Sequence, residues 1–250
     1  MNTGIFITAR LKSTRLTNKI LLDLNGRTVI ENLIDRLRNS KIADKIILCT
    51  STHPDDFSLT DIAKKCSIGC FRGSEEDVLI RYKETCETFK IDVFAVTWGD
   101  EPLCDPVYLD TLLKTAIEKD ADFASIDGLP TGTFTYTVKV HALNKICEIK
   151  NNDKTEVWTD YFIKNPALKC IKLEADKKHQ RKDIRLTLDY PEDLILLRKI
   201  YENLGTNNRY FTLDAVFDFL DKNPDLKSIN IFREDEYLKR IENQNNYDQK

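Results

Sequence analysis

Short runs rich in β-branched and aromatic residues alternate with amphipathic helical stretches along this 250-residue chain. That alternation restricts it to helices layered on a mainly parallel sheet, an α/β fold with helices on both faces. Strands are predicted at Gly4–Ala9, Lys45–Cys49, Ile68–Phe71 and Asp92–Thr97, with helices at about Thr28–Arg38, up to Lys65, Glu75–Phe89 and Pro106–Lys119. Ser74, with Asp77 three residues on, is the expected N-cap of the third helix. The second half is less regular. Residues 121–126 read as a strand, and 133–140 alternate with period two like a half-exposed antiparallel strand. A helix from His141, another over Asp153–Lys164, and strands at 168–173 and 183–188 follow. Pro191 opens a strong helix and Thr212 caps a last core helix. The expected organisation is one domain over 1–234, with an acceptor or dimerisation subregion at about 130–175. Residues 235–250 form a charged tail, read as a frayed helix or disorder.

Composition narrows the function classes. The chain has 41 acidic and 38 basic residues, a formal net charge of −3. A protein that coats nucleic acid needs a basic excess, so phosphate binding here must come from a local cluster. No apolar run approaches the roughly 20 residues of a membrane helix. The opening MNTGIFITARLKSTR places a short apolar strand before a polar loop, unlike a secretory leader. Seven cysteines, most inside apolar runs, read as buried free thiols. Cys66 and Cys70 lack a second ligand pair for zinc. A cytoplasmic enzyme is the expectation.

In an open parallel sheet, ligands gather at the carboxyl ends of the strands. Three loops there carry chemistry. Arg10–Lys19 packs four cations and three hydroxyls into ten residues after the first strand. It has no glycine, so it is neither a Walker loop nor a dinucleotide fingerprint. Its residues fit either a solvated basic loop or one that wraps a triphosphate with charge-assisted bonds. Gly99-Asp100-Glu101-Pro102 puts a carboxylate at a strand end, suited either to a hard divalent cation or to capping the next helix. Asp189, ahead of Pro191, reads alone as an N-cap. Taken together, two strand-end carboxylates and a cationic loop suit magnesium, which favours one or two carboxylates plus phosphate oxygens. A glycosyltransferase would want Asp-x-Asp where this chain has Gly-Asp-Glu-Pro. A non-catalytic nucleotide-binding protein is the rival from another class.

The stretches ITARLKSTRLTNKILLDLNGRTVIENLIDRL, FRGSEEDVLIRY, VTWGDEPLCDP and RLTLDYPEDLILLRKIY together resemble the cytidylyltransferases of spore-coat polysaccharide biosynthesis (the SpsF-like group). They are similar, more distantly, to the enzymes that activate ulosonic acids as CMP-sugars. The resemblance implies a Rossmann-like nucleotidyltransferase domain that transfers CMP from CTP to a sugar acid, a sugar or polyol phosphate, or a phosphonate. It implies Mg²⁺ as cofactor, CTP and a small anionic acceptor as partners, and surface-glycan precursor synthesis as the setting. It assigns Arg10, Ser13, Arg15 and Lys19, beside Ala9, to the triphosphate loop. Asp100, after Gly99, and Asp189 become the metal pair, with Arg10, Arg15, Lys19 and Asp100 catalytic. Arg72, Gly73, Ser74 and Asp77 are placed near the nucleotide. Thr17-Asn18 departs from the usual Pro-Gly, Lys12 adds a cation, and Trp98 stands where relatives carry Thr or Gln, which leaves the acceptor open; the preference for cytosine is implied by the resemblance alone. Another nucleoside triphosphate is an alternative. A homodimer through the 133–173 segment is expected, and Glu156 and the 174–183 charged loop are further candidates for acceptor contact.

Overall fold

The computed structural model describes residues 1–13, 15–205 and 210–247, the last seven of these by backbone alone. Seven strands form one sheet in the order β3-β2-β1-β4-β6-β5-β7. They are β1 (Thr3–Thr8), β2 (Lys45–Ser51), β3 (Gly69–Gly73), β4 (Val93–Trp98), β5 (Phe123–Asp127), β6 (Tyr136–Lys139) and β7 (Cys170–Glu174). β1 pairs in parallel with both β2 and β4. The chain therefore winds outward through β2 and β3, then returns to the other side of β1. That reversal opens a crevice between the carboxyl ends of β1 and β4, where α/β folds of this kind bind ligands.

Four helices cover the first half: α1 (Val29–Leu37), α2 (Ser58–Lys65), α3 (Val78–Phe89) and α4 (Pro106–Glu118). α1 starts at a capping box, in which Thr28 accepts from the Glu31 amide and Glu31 accepts from the Thr28 amide. α3 begins three residues later than expected. Asp77, not Ser74, caps it by accepting from the Ile80 amide, while the Ser74 hydroxyl accepts from the Asp77 amide. The remaining helices are α5 (Val140–Ile149), α6 (Thr159–Ile163), α7 (Pro191–Leu204), α8 (Leu213–Lys222), α9 (Pro224–Lys227) and α10 (Glu234–Tyr247). Apolar clusters fill both faces of the sheet, one around Ile5, Ile7, Leu33 and Leu109, another around Phe6, Phe94, Tyr82 and Trp158. Trp158 is fully in the core.

The second half departs from expectation in four ways. β6 runs antiparallel between β4 and β5, so it is largely buried rather than half exposed, and the 130–175 segment is built into the main sheet. Of the helix expected at 153–164, only Thr159–Ile163 forms. The Asn152 carboxamide accepts from the Lys154 amide, and such a side-chain turn competes with helix formation. Residues 183–188 form no strand, although Ile184, Leu186 and Leu188 are buried. Their amides go instead to loop carbonyls: Leu186 N donates to Thr131 O (2.7 Å) and Leu188 N to Asp100 O (2.9 Å). This crossing requires Gly132, whose φ is +95° and where a Cβ would sit 2.1 Å from Thr187 N. Finally, the described part of the 235–250 tail is helical, and it docks on the body of the protein through Glu234 and Tyr237.

Candidate functional site

β1 delivers the loop that starts at Ala9, and buried polar contacts fix its course. Ala9 N donates to Cys49 O, and Leu11 N donates to the buried Asp56 carboxylate (2.7 Å). Asp56 also accepts from Ser51, which ties the loop to the end of β2. At the far end Asn18 stands at φ 51°, the left-handed conformation that glycine favours and asparagine tolerates. The replacement of glycine there thus keeps the turn, and a short 3-10 turn over Lys19–Leu21 follows.

β4 delivers Asp100. Its turn is tight because Gly99 has no side chain: a Cβ there would meet Ala9 Cβ at 3.0 Å. Asp100 does not cap α4; Asp105 does, accepting from the Val107 amide. Asp189 is brought alongside by the Leu188–Asp100 backbone bond. Nor does it cap α7. Asp193 takes that work, accepting from the amides of both Asp189 (2.8 Å) and Tyr190 (3.0 Å). Both carboxylates are left with side chains directed at the loop.

One ammonium joins them. Lys19 Nζ donates to Asp100 and to Asp189 (2.8 Å to the latter). Two such bonds from one nitrogen place the oxygens within about 6 Å of each other. Arg15 donates to the same Asp189 oxygen as Lys19. Burial pushes the Asp189 carboxyl up, but Lys19 and Arg15 overrule it and hold the group well below the usual carboxylate range. Burial likewise works against the charge on Lys19, and Asp100 and Asp189 more than offset it. Glu101 behaves oppositely: burial, with Asp100 adjacent, pushes its carboxyl well above the usual range.

The residues present fit a hard divalent ion. Two carboxylates already share a cation, and oxygen donors from a phosphate chain would complete the shell. Among the described residues no group of three or more His, Cys, Asp or Glu side chains is placed to hold a metal ion by itself. The chain's Asp120-Ala121-Asp122 triplet lies at the opposite end of the sheet, ahead of β5, with Asp120 paired to Lys139.

The other candidates are placed as follows. Arg10 donates to Glu156 (3.0 Å) and to Glu75 O (3.3 Å), which closes the loop over the start of the β3–α3 connection. Ser13 accepts from the Leu16 amide (3.4 Å). Arg72 donates to the carbonyls of Ser51 and His53. Gly73 is packed against Phe71 and Arg81. Both oxygens of Asp77 are committed, one to Ile80 N and Thr155, the other to Lys150. Arg72 and Asp77 therefore brace the loop behind the crevice. Trp98 packs edge-to-face on Tyr136, at 5.7 Å between ring centres. In the 174–183 loop, Arg181 pairs with Asp183 and Asp221. His179 in the same loop is buried between Tyr108 (2.7 Å) and Asp214 (2.8 Å).

Sequence reasoning missed Arg185. It is fully buried and donates to Asp193 (3.1 Å), Glu234 (2.9 Å) and Asp189 (3.3 Å). Its guanidinium lies 5.0 Å from the Tyr237 ring of α10. The signal was the cation four residues before Asp189 in an otherwise apolar run, where a buried charge needs a partner.

A family model described as cytidylyltransferase matches residues 5–237. The chain belongs to the cytidylyltransferase family. It is 31% identical over 233 residues to the spore coat polysaccharide biosynthesis protein SpsF of Bacillus subtilis, covering 90% of this chain and 97% of that one. A cytidylyltransferase structure from Leptospira borgpetersenii superposes with a TM-score of 0.82 at 25% identity, covering 90% and 96%. A CMP:2-keto-3-deoxy-manno-octonic acid synthetase solved with CTP shares the fold, at TM-score 0.63, 15% identity and coverage of 81% and 99%. Among the described residues of this cytidylyltransferase, no helix is long and apolar enough to cross a membrane.

Proposed function

We propose that this cytidylyltransferase transfers CMP from CTP to an oxygen of a small anionic sugar, as SpsF-type polysaccharide synthesis suggests, and that Asp100 and Asp189 hold its Mg²⁺. The observation that carries the reading is the sharing of Lys19 between those two carboxylates. An acceptor oxygen forms a bond to the α-phosphorus while the bond from that phosphorus to the bridging β-phosphate oxygen breaks. The acceptor's proton passes to solvent and pyrophosphate leaves. The bound ion supplies charge neutralisation at the α-phosphate.

The chain's own residues do the rest. Lys19 and Arg15 are cations whose present partners are the metal-site acids. They are free to pass to the β- and γ-phosphates once those acids are otherwise engaged, where they stabilise charge growing on the leaving group. Arg10 and Ser13 line the same loop. Asp193 and Arg185 fix the Asp189 carboxylate so that little reorganisation is needed at reaction. Gly99 and the Leu188–Asp100 bond keep the acids at a set spacing.

The test presents the protein with each of the four nucleoside triphosphates, Mg²⁺ and a pooled library of sugar acids, polyol phosphates and phosphonates. Pyrophosphate release and product masses are then recorded. The reading expects release with CTP and one anionic acceptor, and loss of about 10²–10⁴ in turnover for Asp100→Asn, or ~3–5 kcal/mol. Near-normal release by Asp100→Asn would remove the metal assignment.

A further inference from the structure

α10 is more than a tail. Its first turn is anchored at the floor of the crevice: Glu234 donates nothing but accepts from Arg185 (2.9 Å) and from Thr131. Arg233, just before it, pairs with Glu192 and Glu236 and lies 4.6 Å from the Tyr190 ring. Arg15 of the phosphate loop lies 5.6 Å from the same ring. The helix root and the loop thus meet across Tyr190, next to Asp189.

From that root the helix carries two side chains toward the acids. The Tyr237 ring lies 5.0 Å from the Arg185 guanidinium, which itself donates to Asp189 (3.3 Å), and burial beside Glu101, Asp189 and Asp100 pushes its phenol up. Arg240 lies over the Tyr237 ring at 5.4 Å, and its guanidinium stands 4.0 Å from Asp189. That contact is too long for a hydrogen bond. The other cations here are engaged: Lys19 and Arg15 by the acid pair, Arg185 by Asp193 and Glu234, Arg233 by two glutamates. Among the described residues, the buried Nε of Arg240 has no hydrogen-bond partner, while its side chain remains 34% exposed and so within reach of a ligand.

Charge and direction select the ligand. A divalent ion on Asp100 and Asp189 satisfies those carboxylates and repels Arg240, which then needs an anion of its own. In-line displacement puts the attacking oxygen opposite the leaving pyrophosphate. The pyrophosphate belongs with the cations of residues 10–19, so the acceptor approaches from another side of the acid pair. The guanidinium fork suits a carboxylate or phosphate bound bidentately.

We infer that α10 builds the acceptor's anion subsite, with Arg240 receiving the carboxylate or phosphate and Tyr237 supporting it. This rests on the nucleotidyl-transfer reading above. Arg240→Gln and Arg240→Lys are compared with the native chain by calorimetry, with Mg²⁺ and α,β-methylene CTP present. The probes are 3-deoxy-manno-octulosonate for a carboxylate, glycerol 3-phosphate for a phosphate, and glycerol as a neutral control. At least one anionic probe should bind the native protein and glycerol should not. Arg240→Gln should weaken that probe at least about tenfold, with Arg240→Lys in between, while nucleotide affinity stays within about threefold. Unchanged probe affinity in Arg240→Gln overturns the inference, as does an equal loss of nucleotide affinity, which would make Arg240 a triphosphate residue. Nucleotide binding without any anionic probe overturns the subsite and leaves nucleotidyl transfer standing. Failure to bind the nucleotide at all overturns the nucleotidyl-transfer reading and the subsite with it.

Discussion

Replacing Arg185 with methionine keeps the stem of the side chain and deletes its charge, in a place where three carboxylates depend on it. Asp193 would lose a bidentate partner at 3.1 and 3.4 Å, Glu234 a bond of 2.9 Å, and Asp189 one of 3.3 Å. Asp193 and Arg185 are both completely buried, so no solvent replaces the lost contacts. Removing one member of a buried pair costs about 3–5 kcal/mol, because the remaining charge is left uncompensated. Asn230 and the amides of Asp189 and Tyr190 still bond Asp193, which favours the lower end, near 3 kcal/mol. At roughly 2–4 °C per kcal/mol for a chain of this size, the melting temperature should fall by about 6–12 °C. Urea unfolding of Arg185→Met, Asp193→Asn and the double variant measures the pair directly. The two losses should be far from additive, with a coupling of about 1–3 kcal/mol. Additive losses, or a cost under about 1 kcal/mol for Arg185→Met, would refute the claim that this network positions Asp189.

Three other outcomes are expected of this fold. Gly132→Ala should destabilise by about 2–4 kcal/mol and lower CTP turnover as well, since a Cβ would strike Thr187 N at a positive φ and disturb the segment that carries Asp189; wild-type stability in urea would contradict it. Burial pushes Glu31 up, yet Lys65 and the Thr28 amide and hydroxyl pull its carboxyl down to about 2. Because the folded value lies below the unfolded one, the stabilisation is present above about pH 4.5 and fades as pH falls through about 2. Glu31→Gln should therefore cost ~1–2 kcal/mol at pH 7, discounted for the exposed Lys65, and the gap to the native chain should close on acidification. In thiol labelling of the native protein, exposed Cys170 should react first, whereas burial pushes Cys49 and Cys104 up to about 12, and these should label only on unfolding.

How far the sequence could be read depended on whether the deciding contacts were local. β1 with the loop after it, and β4 with Gly99-Asp100, each lead from a strand through a turn toward a helix, an order whose period and turn residues are visible in the chain. Residues 10–19, Asp100 and Asp189 were expected to converge, and Lys19 joins them. The segment 183–188 alternates in sequence like a strand, yet Ile184 to Leu188 are all buried and its hydrogen bonds go to loops; no local pattern encodes the choice of a distant carbonyl. His179 sits among lysines in sequence and between Tyr108 and Asp214 in space. Asp77 looks like part of a nucleotide motif, yet its oxygens are taken by Thr155 and Lys150, more than seventy residues away. α10 has a polar composition typical of a frayed end, and only its docking on Arg185 gives it a place.

Crystals grown with CTP and Mn²⁺ and measured at the manganese edge would locate the ion itself. One anomalous peak is expected within roughly 2.5 Å of oxygens from both Asp100 and Asp189, with Lys19 moved from between them onto the phosphate chain. Manganese bound by phosphates alone, with Lys19 still bridging the two aspartates, would contradict the metal assignment.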